Sequence, residues 1–288
     1  MLSILLTGVA TLDILNQLDT YPAEDSESRA SEQTVRTGGN ATNTSIVMQQ
    51  LGFRCHLLAN FADDSSAQYI KSQLTHRGII TSQCPEQHNS TTPTSYITLS
   101  RASGSRTIVH YRKLAELSSQ QFDNVDLNQY DWLHFEARNC IQLKQMLSKA
   151  KQFNKPVSIE LEKMRDDIDS IYDLADVLMI SRPFAESLGF SSATECLAYF
   201  QQRFPDKIFS CTWGDRGAWA SDIDGILFQP AESISSPVET LGAGDTFNAA
   251  FIGSLMQKQT TAEALKYASQ LAARKCSQAG FDNLLTPL

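Results

Sequence analysis

Short apolar runs alternate with stretches of helical periodicity along almost the whole chain. The runs at 4–9, 56–60, 132–135, 157–161, 177–180 and 208–212 read as core strands. They are nearly continuous in hydrophobicity, as strands covered on both faces are. The segments 41–51, 67–77, 140–153, 193–204, 245–257 and 261–277 read as helices from the spacing of their apolar residues. Strands alternating with helices imply right-handed crossovers onto a mostly parallel sheet with helices on both faces. Such sheets bind ligands beyond the carboxyl ends of their strands.

Two segments break the alternation. Residues 12–36 hold two strand-like pieces around the polar stretch Ala23-Glu24-Asp25-Ser26-Glu27-Ser28-Arg29. Residues 94–111 read as a hairpin, with Tyr96-Ile97-Thr98-Leu99 and Thr107-Ile108-Val109-His110-Tyr111 flanking a turn around Ser103-Gly104. Together they predict a small β-sheet projecting from the main body as a lid. Residues 86–92 read as a polar loop. With no repeat, low-complexity tract or linker in view, residues 1–288 read as a single three-layer α/β domain.

Composition narrows the field without changing that picture. At 42% hydrophobic residues the chain can bury a sizeable core, and a net charge of −8 with no basic block disfavours nucleic-acid or anionic-membrane partners. The apolar start, Met1 to Ala10, lacks a positive n-region and reads as a buried strand rather than a signal peptide. No apolar run approaches membrane-spanning length. Cys55, Cys84, Cys140, Cys196, Cys211 and Cys276 are scattered, with no C-x-x-C pair. This spacing suggests neither zinc nor disulfides, and points to a cytoplasmic chain with reduced thiols.

The strongest chemical signal is Leu241-Gly242-Ala243-Gly244-Asp245-Thr246-Phe247-Asn248, which runs into an apolar helix. Glycines allow a sharp turn and close approach to a ligand. The free N–H groups and the dipole of a helix start attract an anion. Asp245 is then placed as a general base, or is simply a helix cap. In Gly38-Gly39-Asn40-Ala41-Thr42-Asn43, a glycine turn delivers Asn40 to a second helix start, with Asn43 one turn on. Their amides suit a polyhydroxylated ligand, although Asn40 also fits an ordinary N-cap. Asp13, directly after the first core strand, is placed for sugar hydroxyls or is a turn residue. Glu160 and Glu162 share one face of a strand. They could organise the waters of Mg²⁺ or pair with Lys163 or Arg165.

The pairing of Gly38-Gly39-Asn40 with Gly242-Ala243-Gly244-Asp245 resembles the two signatures of the ribokinase-like, phosphofructokinase-B type, sugar kinase family. Within the family the likeness is strongest to the ketohexose-specific branch. It is carried by Tyr21 to Glu27, Gly104-Ser105-Arg106, Glu136-Ala137-Arg138-Asn139, Glu160-Leu161-Glu162-Lys163 and Gln278-Ala279-Gly280-Phe281-Asp282. The resemblance implies transfer of phosphate from ATP to a ketohexose, D-fructose at O1 first. Asp245 would be the base, and the N–H groups of Gly242, Ala243 and Gly244 would face the transferring phosphoryl group. Asp13, Gly39, Asn40 and Asn43 would hold the sugar, and Arg106 would reach the phosphates. It further implies Thr212, Gly214 and Gly217 in a nucleotide turn, with Asn248 and Cys276 beside adenine. A homodimer through the lid would place Asp25 in the neighbouring subunit's sugar site.

Two departures stand out. The family's Asn-x-x-Glu element falls on Ser181-Arg182-Pro183-Phe184, which keeps neither the Asn nor the Glu. A position often held by Asp, and associated with a monovalent cation in relatives, is Glu239, which speaks against a need for K⁺. The alternatives are a kinase of ribose, another ketose or a keto-deoxy sugar acid, or a non-catalytic sugar-binding regulator on the same fold.

Overall fold

The computed structural model describes residues 1–103, 105–234 and 237–285. Gly104, in the expected hairpin turn, lies outside them. All six expected core strands form, and among the described residues they make one parallel array. Its spatial order is Arg54–Leu58, Ser3–Thr7, Trp132–Glu136, Val157–Leu161, Val177–Ser181, Ile208–Thr212. Side chains divide by alternation: Ile4 and Leu6 enter one core and Leu5 the other. Helices Asn40–Gln50, Ser65–His76, Ala243–Met256 and Thr261–Cys276 cover the first face, while Cys140–Gln152 and Ala193–Arg203 cover the second.

Some elements went unforeseen. Ala218–Asp222 and Gly225–Gln229 extend the sheet antiparallel beyond Ile208–Thr212. Phe61–Ala62 pairs with Glu86–Gln87 at the start of the stretch expected to be a polar loop. The short helix Arg182–Ser187 begins at Ser181, whose Oγ accepts from Phe184 N–H and donates to the Glu162 carbonyl at 2.7 Å. Ser181 thus serves as a cap where the family's Asn would stand, and Glu186 pairs with Arg182 on the surface.

The lid is a four-stranded sheet ordered Glu32–Gly38, Thr11–Leu18, Thr94–Ser100, Arg106–Tyr111, with its central pair parallel. Register sets Val35, Ile14, Tyr96 and Val109 in one row across all four strands. Val35, Tyr96 and Val109 in that row are exposed. Asp13 requires a correction. The core strand ends at Thr7, and Asp13 is the third residue of a lid strand rather than part of the turn after the core strand. All six cysteines are free, and no described helix is long and apolar enough to cross a membrane.

Candidate active site

The lid and the carboxyl ends of the parallel strands converge on the starts of two helices. Helix Asn40–Gln50 follows directly from a lid strand. Gly39 makes the turn at φ 102°, where an added Cβ would come within 2.1 Å of the Val9 carbonyl oxygen. The N-cap position belongs to Gly39, so the simple capping role of Asn40 does not hold. Asn40 Nδ2 instead donates to Glu160 Oε2 at 3.1 Å and to Glu162 Oε2 at 3.2 Å.

Helix Ala243–Met256 starts behind Gly242, at φ 82°, where a Cβ would lie 2.2 Å from the Phe281 ring. Only glycine fits against that ring at this turn. Ala243 N–H already donates to the Thr240 carbonyl at 3.3 Å. The N–H groups of Gly244 and Asp245 have no main-chain acceptor among the described residues, leaving two donors at the positive end of the helix dipole.

Asp245 is 7% exposed and does not cap its helix. Its Oδ2 accepts from Asn43 Nδ2 at 2.7 Å, joining the two signature segments directly. Asn43 Oδ1 is buried without a partner. Burial, opposed by the Asn43 hydrogen bond and reinforced by the charges of Glu162, Glu136 and Asp13, pushes the Asp245 carboxyl up to about 8. Burial also raises Asp13, against the hydrogen bonds of Thr11 and Ser95 and the positive charge of Arg36.

Two glutamates shape the floor of the site. Glu160 is raised well above the ordinary range by burial and then by the charge of Asp245. Its Oε1 accepts from Asn248 Nδ2 at 3.0 Å and its Oε2 from Asn40. Glu136 was not foreseen as part of the site, although an acidic residue closing an apolar strand is a signal for one. Its Oε1 accepts from Val9 N–H at 3.1 Å and Ala41 N–H at 2.7 Å, fixing the turn at Gly39 from below.

On the other side of the tetrad lies a cavity of about 550 Å³, lined by Thr212, Gly214, Gly217, Ala243, Gly244 and Cys276 among others. Four of the five residues expected at the nucleotide are therefore on its wall. Asn248 is not. It lies one helical turn after Asp245, on the Glu160 side. Arg106 reaches over from the lid, its Nη1 donating to Thr240 Oγ1 at 2.9 Å at the mouth of the cavity. Asp25 stands apart in an exposed turn of the lid loop, at φ 55°, and does not enter its own chain's site.

The arrangement is thus a buried carboxylate and amide pair between the polar residues beneath the lid and a cavity that opens onto a helix start. It can accept a proton from a hydroxyl on one side and hold an anion on the other.

The pfkB family carbohydrate kinase description matches residues 6–287. A ketohexokinase of Mus musculus is 35% identical, the alignment covering 98% of this chain and 98% of that protein. A putative ribokinase from Agrobacterium tumefaciens shares the fold with a TM-score of 0.85 at 22% identity, covering 96% of this chain and 92% of that one. A ribokinase from Cryptococcus neoformans var. grubii serotype A in complex with ADP does so with a TM-score of 0.78 at 19% identity, covering 97% and 95%.

Proposed function

We propose, for a chain that belongs to the pfkB family of carbohydrate kinases and is an ATP-dependent sugar kinase, that the acceptor is a ketohexose, D-fructose phosphorylated at O1. The choice of ketohexose rests on the likeness to the mouse ketohexokinase along nearly the whole of both chains. The chemistry rests on one contact, the Asn43–Asp245 hydrogen bond, which holds a carboxyl that burial pushes up to about 8 beside an unpartnered amide oxygen.

In this reading the sugar lies under the lid, with Asp13, Gly39, Asn40 and Asn43 around its hydroxyls. Asn43 Oδ1 accepts one hydroxyl, and ionised Asp245 takes the proton of the hydroxyl that attacks. The nucleotide lies across Thr212, Gly214, Gly217 and Cys276, and its γ-phosphate meets the N–H groups of the glycine turn. Arg106, now on Thr240, swings onto the phosphates. Positioning and fixed dipoles then supply the catalysis, as phosphoryl transfer requires.

Among the described residues no group of three or more His, Cys, Asp or Glu is arranged to hold a metal ion. Glu162 pairs with Lys163 Nζ at 3.1 Å and accepts from Asn40, yet its carboxylate is partly exposed, a hard oxygen donor that would suit the waters of Mg²⁺ entering with ATP. Bound there, Mg²⁺ would neutralise charge on the phosphates. Glu160 is taken up by Asn40 and Asn248 and serves to orient Asn40.

The proposal extends to a homodimer through the exposed lid row of Val35, Tyr96 and Val109, with Asp25 entering the partner's sugar site. Pairing two lids would cover that row and the lid's strand edges.

The test is a sugar panel with ATP and Mg²⁺, followed by NMR assignment of the phosphorylated carbon. Phosphate at C6 of fructose, or a strong preference for ribose, overturns the choice of substrate. The second name in the family likenesses, ribokinase, makes ribose the first competitor to include.

A further inference from the structure

A cation is already built in against the segment that leads to the glycine tetrad. Lys275, in the last turn of helix Thr261–Cys276, is 0% exposed. Its Nζ donates to the Glu239 carbonyl at 3.3 Å, to Glu239 Oε2 at 3.3 Å and to the Gln278 carbonyl at 3.4 Å. An ammonium has three N–H donors and no acceptor, so these oxygens use its whole capacity. The Phe281 ring, with its centroid 5.4 Å from Nζ, adds a favourable aromatic face. Glu239 is held in turn by the Arg36 guanidinium from the lid and by Gly280 N–H at 2.9 Å.

Two main-chain carbonyls and a carboxylate around a dry point are the kind of oxygen set that suits a dehydrated monovalent cation. Here Nζ occupies that point, so these residues do not fit a separate K⁺. A charge this deep is tolerated only when paired and fully hydrogen-bonded, and this one is. Burial drives Lys275 below its usual range, while the charge of Glu239 and its hydrogen bond oppose the shift.

The pair also adjoins three residues that support the glycine turn, Thr240, Cys276 and Phe281. Thr240, beside Glu239, accepts Arg106 on its hydroxyl and Ala243 N–H on its carbonyl. The carbonyl of Cys276, beside Lys275, accepts Val238 N–H at 2.8 Å and Glu239 N–H at 3.3 Å, while Cys276 lines the nucleotide cavity. Phe281 packs against Gly242.

We infer that Lys275 is a positioning residue whose tethered ammonium takes the place of a dissociable monovalent cation behind the glycine turn, so that phosphoryl transfer by this enzyme needs no added potassium. The inference rests on the kinase activity and not on which sugar is used.

The experiment measures sugar-stimulated ADP release and thermal unfolding of the intact protein in choline, sodium and potassium chlorides at equal ionic strength. Equal kcat, equal KM for ATP and equal melting temperature in all three are expected. A saturable rise in kcat, or in melting temperature, specific to potassium overturns the inference, since a ligand of the folded state raises its stability. Lys275→Ala should lose roughly 10²-fold in kcat, the scale of a misplaced reacting geometry, with little change in KM for sugar. Methylammonium or potassium should restore part of that loss saturably while leaving the unmodified enzyme unaffected. Near-normal kcat in the folded variant refutes the role. Should the variant not fold, the salt comparison on the unmodified protein decides alone. Absence of ADP release in every salt refutes the kinase reading instead, and the melting comparison still decides the cation question.

Discussion

Replacing Asp245 by Asn tests the chemistry most directly. The amide keeps an acceptor oxygen for Asn43 Nδ2, so the 2.7 Å contact and the helix start survive. What is lost is the ability to take a proton. General-base catalysis is worth about 10²- to 10⁴-fold, equivalent to about 2.7–5.4 kcal/mol on the barrier. Turnover should fall by that factor while nucleotide and sugar affinities change little, the signature of an interaction used mainly in the transition state. The pH profile gives a second reading. Because burial pushes the Asp245 carboxyl up to about 8 and its charge acts on Glu160, kcat/KM of the unmodified enzyme should rise with pH toward an apparent midpoint belonging to the pair. That limb should vanish in the variant. Stability gives a third, with the sign fixed by linkage. The folded pKa of about 8 lies above the ordinary value of 3.8, so the folded state binds more protons through that window. The stability tied to Asp245 is present in acid and is lost as pH rises through about 8. The melting temperature gained by Asp245→Asn should therefore grow with pH and level off above that point. A coupled ADP-release assay and melting curves across the pH range check all three. Near-normal turnover in a folded variant, or a flat profile in the unmodified enzyme, refutes the assignment.

Asn43→Ala should weaken sugar use by about 1–3 kcal/mol while leaving ATP binding nearly unchanged, read from the KM values for each substrate. Gly242→Ala should cost about 1–3 kcal/mol of stability and most of the activity. The reason is that φ 82° and the Phe281 ring both reject a side chain there, and a melting curve paired with a turnover assay measures it. For the lid dimer, inactive Asp25→Ala and Asp245→Asn subunits are mixed under exchange. Partial recovery is expected if Asp25 acts across the interface, since one site then carries both defects and the other neither. No recovery, or a monomer at assay concentration by light scattering, rejects that arrangement.

The parallel sheet was legible because its strands are apolar on both faces, which leaves a nearly continuous hydrophobic run in the sequence. The edge strands Ala218–Asp222 and Gly225–Gln229 escaped for the opposite reason, since they mix polar and apolar residues on a half-covered edge. The glycine turns with Asn40, Asn43 and Asp245 were readable because each is a local device. Asn248 was expected beside adenine from resemblance, whereas helix geometry points it toward Glu160. Three residues after Asp245 it returns toward that residue's face, whereas Phe247 lines the cavity on the other side of the tetrad. Glu239 was noticed for its length, but its partners were hidden, because Arg36 stands 203 residues away and Lys275 sits on the neighbouring helix. No local pattern encodes a tertiary ion pair.

Helix Ala243–Met256 is buried from Asp245 through Ser254, wedged between its two neighbouring helices and the sheet. The lid strand Arg106–Tyr111 is exposed along its entire length. Amide hydrogens should record this contrast, with the helix exchanging only on global unfolding and the lid edge through small local openings. The same division bears on how such an enzyme diversifies. In the proposed reading Asp25, which would meet the acceptor sugar, stands on exposed lid backbone that tolerates change, while Asp245 and the glycine turn are fastened to the least forgiving part of the core. A new acceptor specificity is then a short mutational walk from this chain, and a new chemistry is a long one.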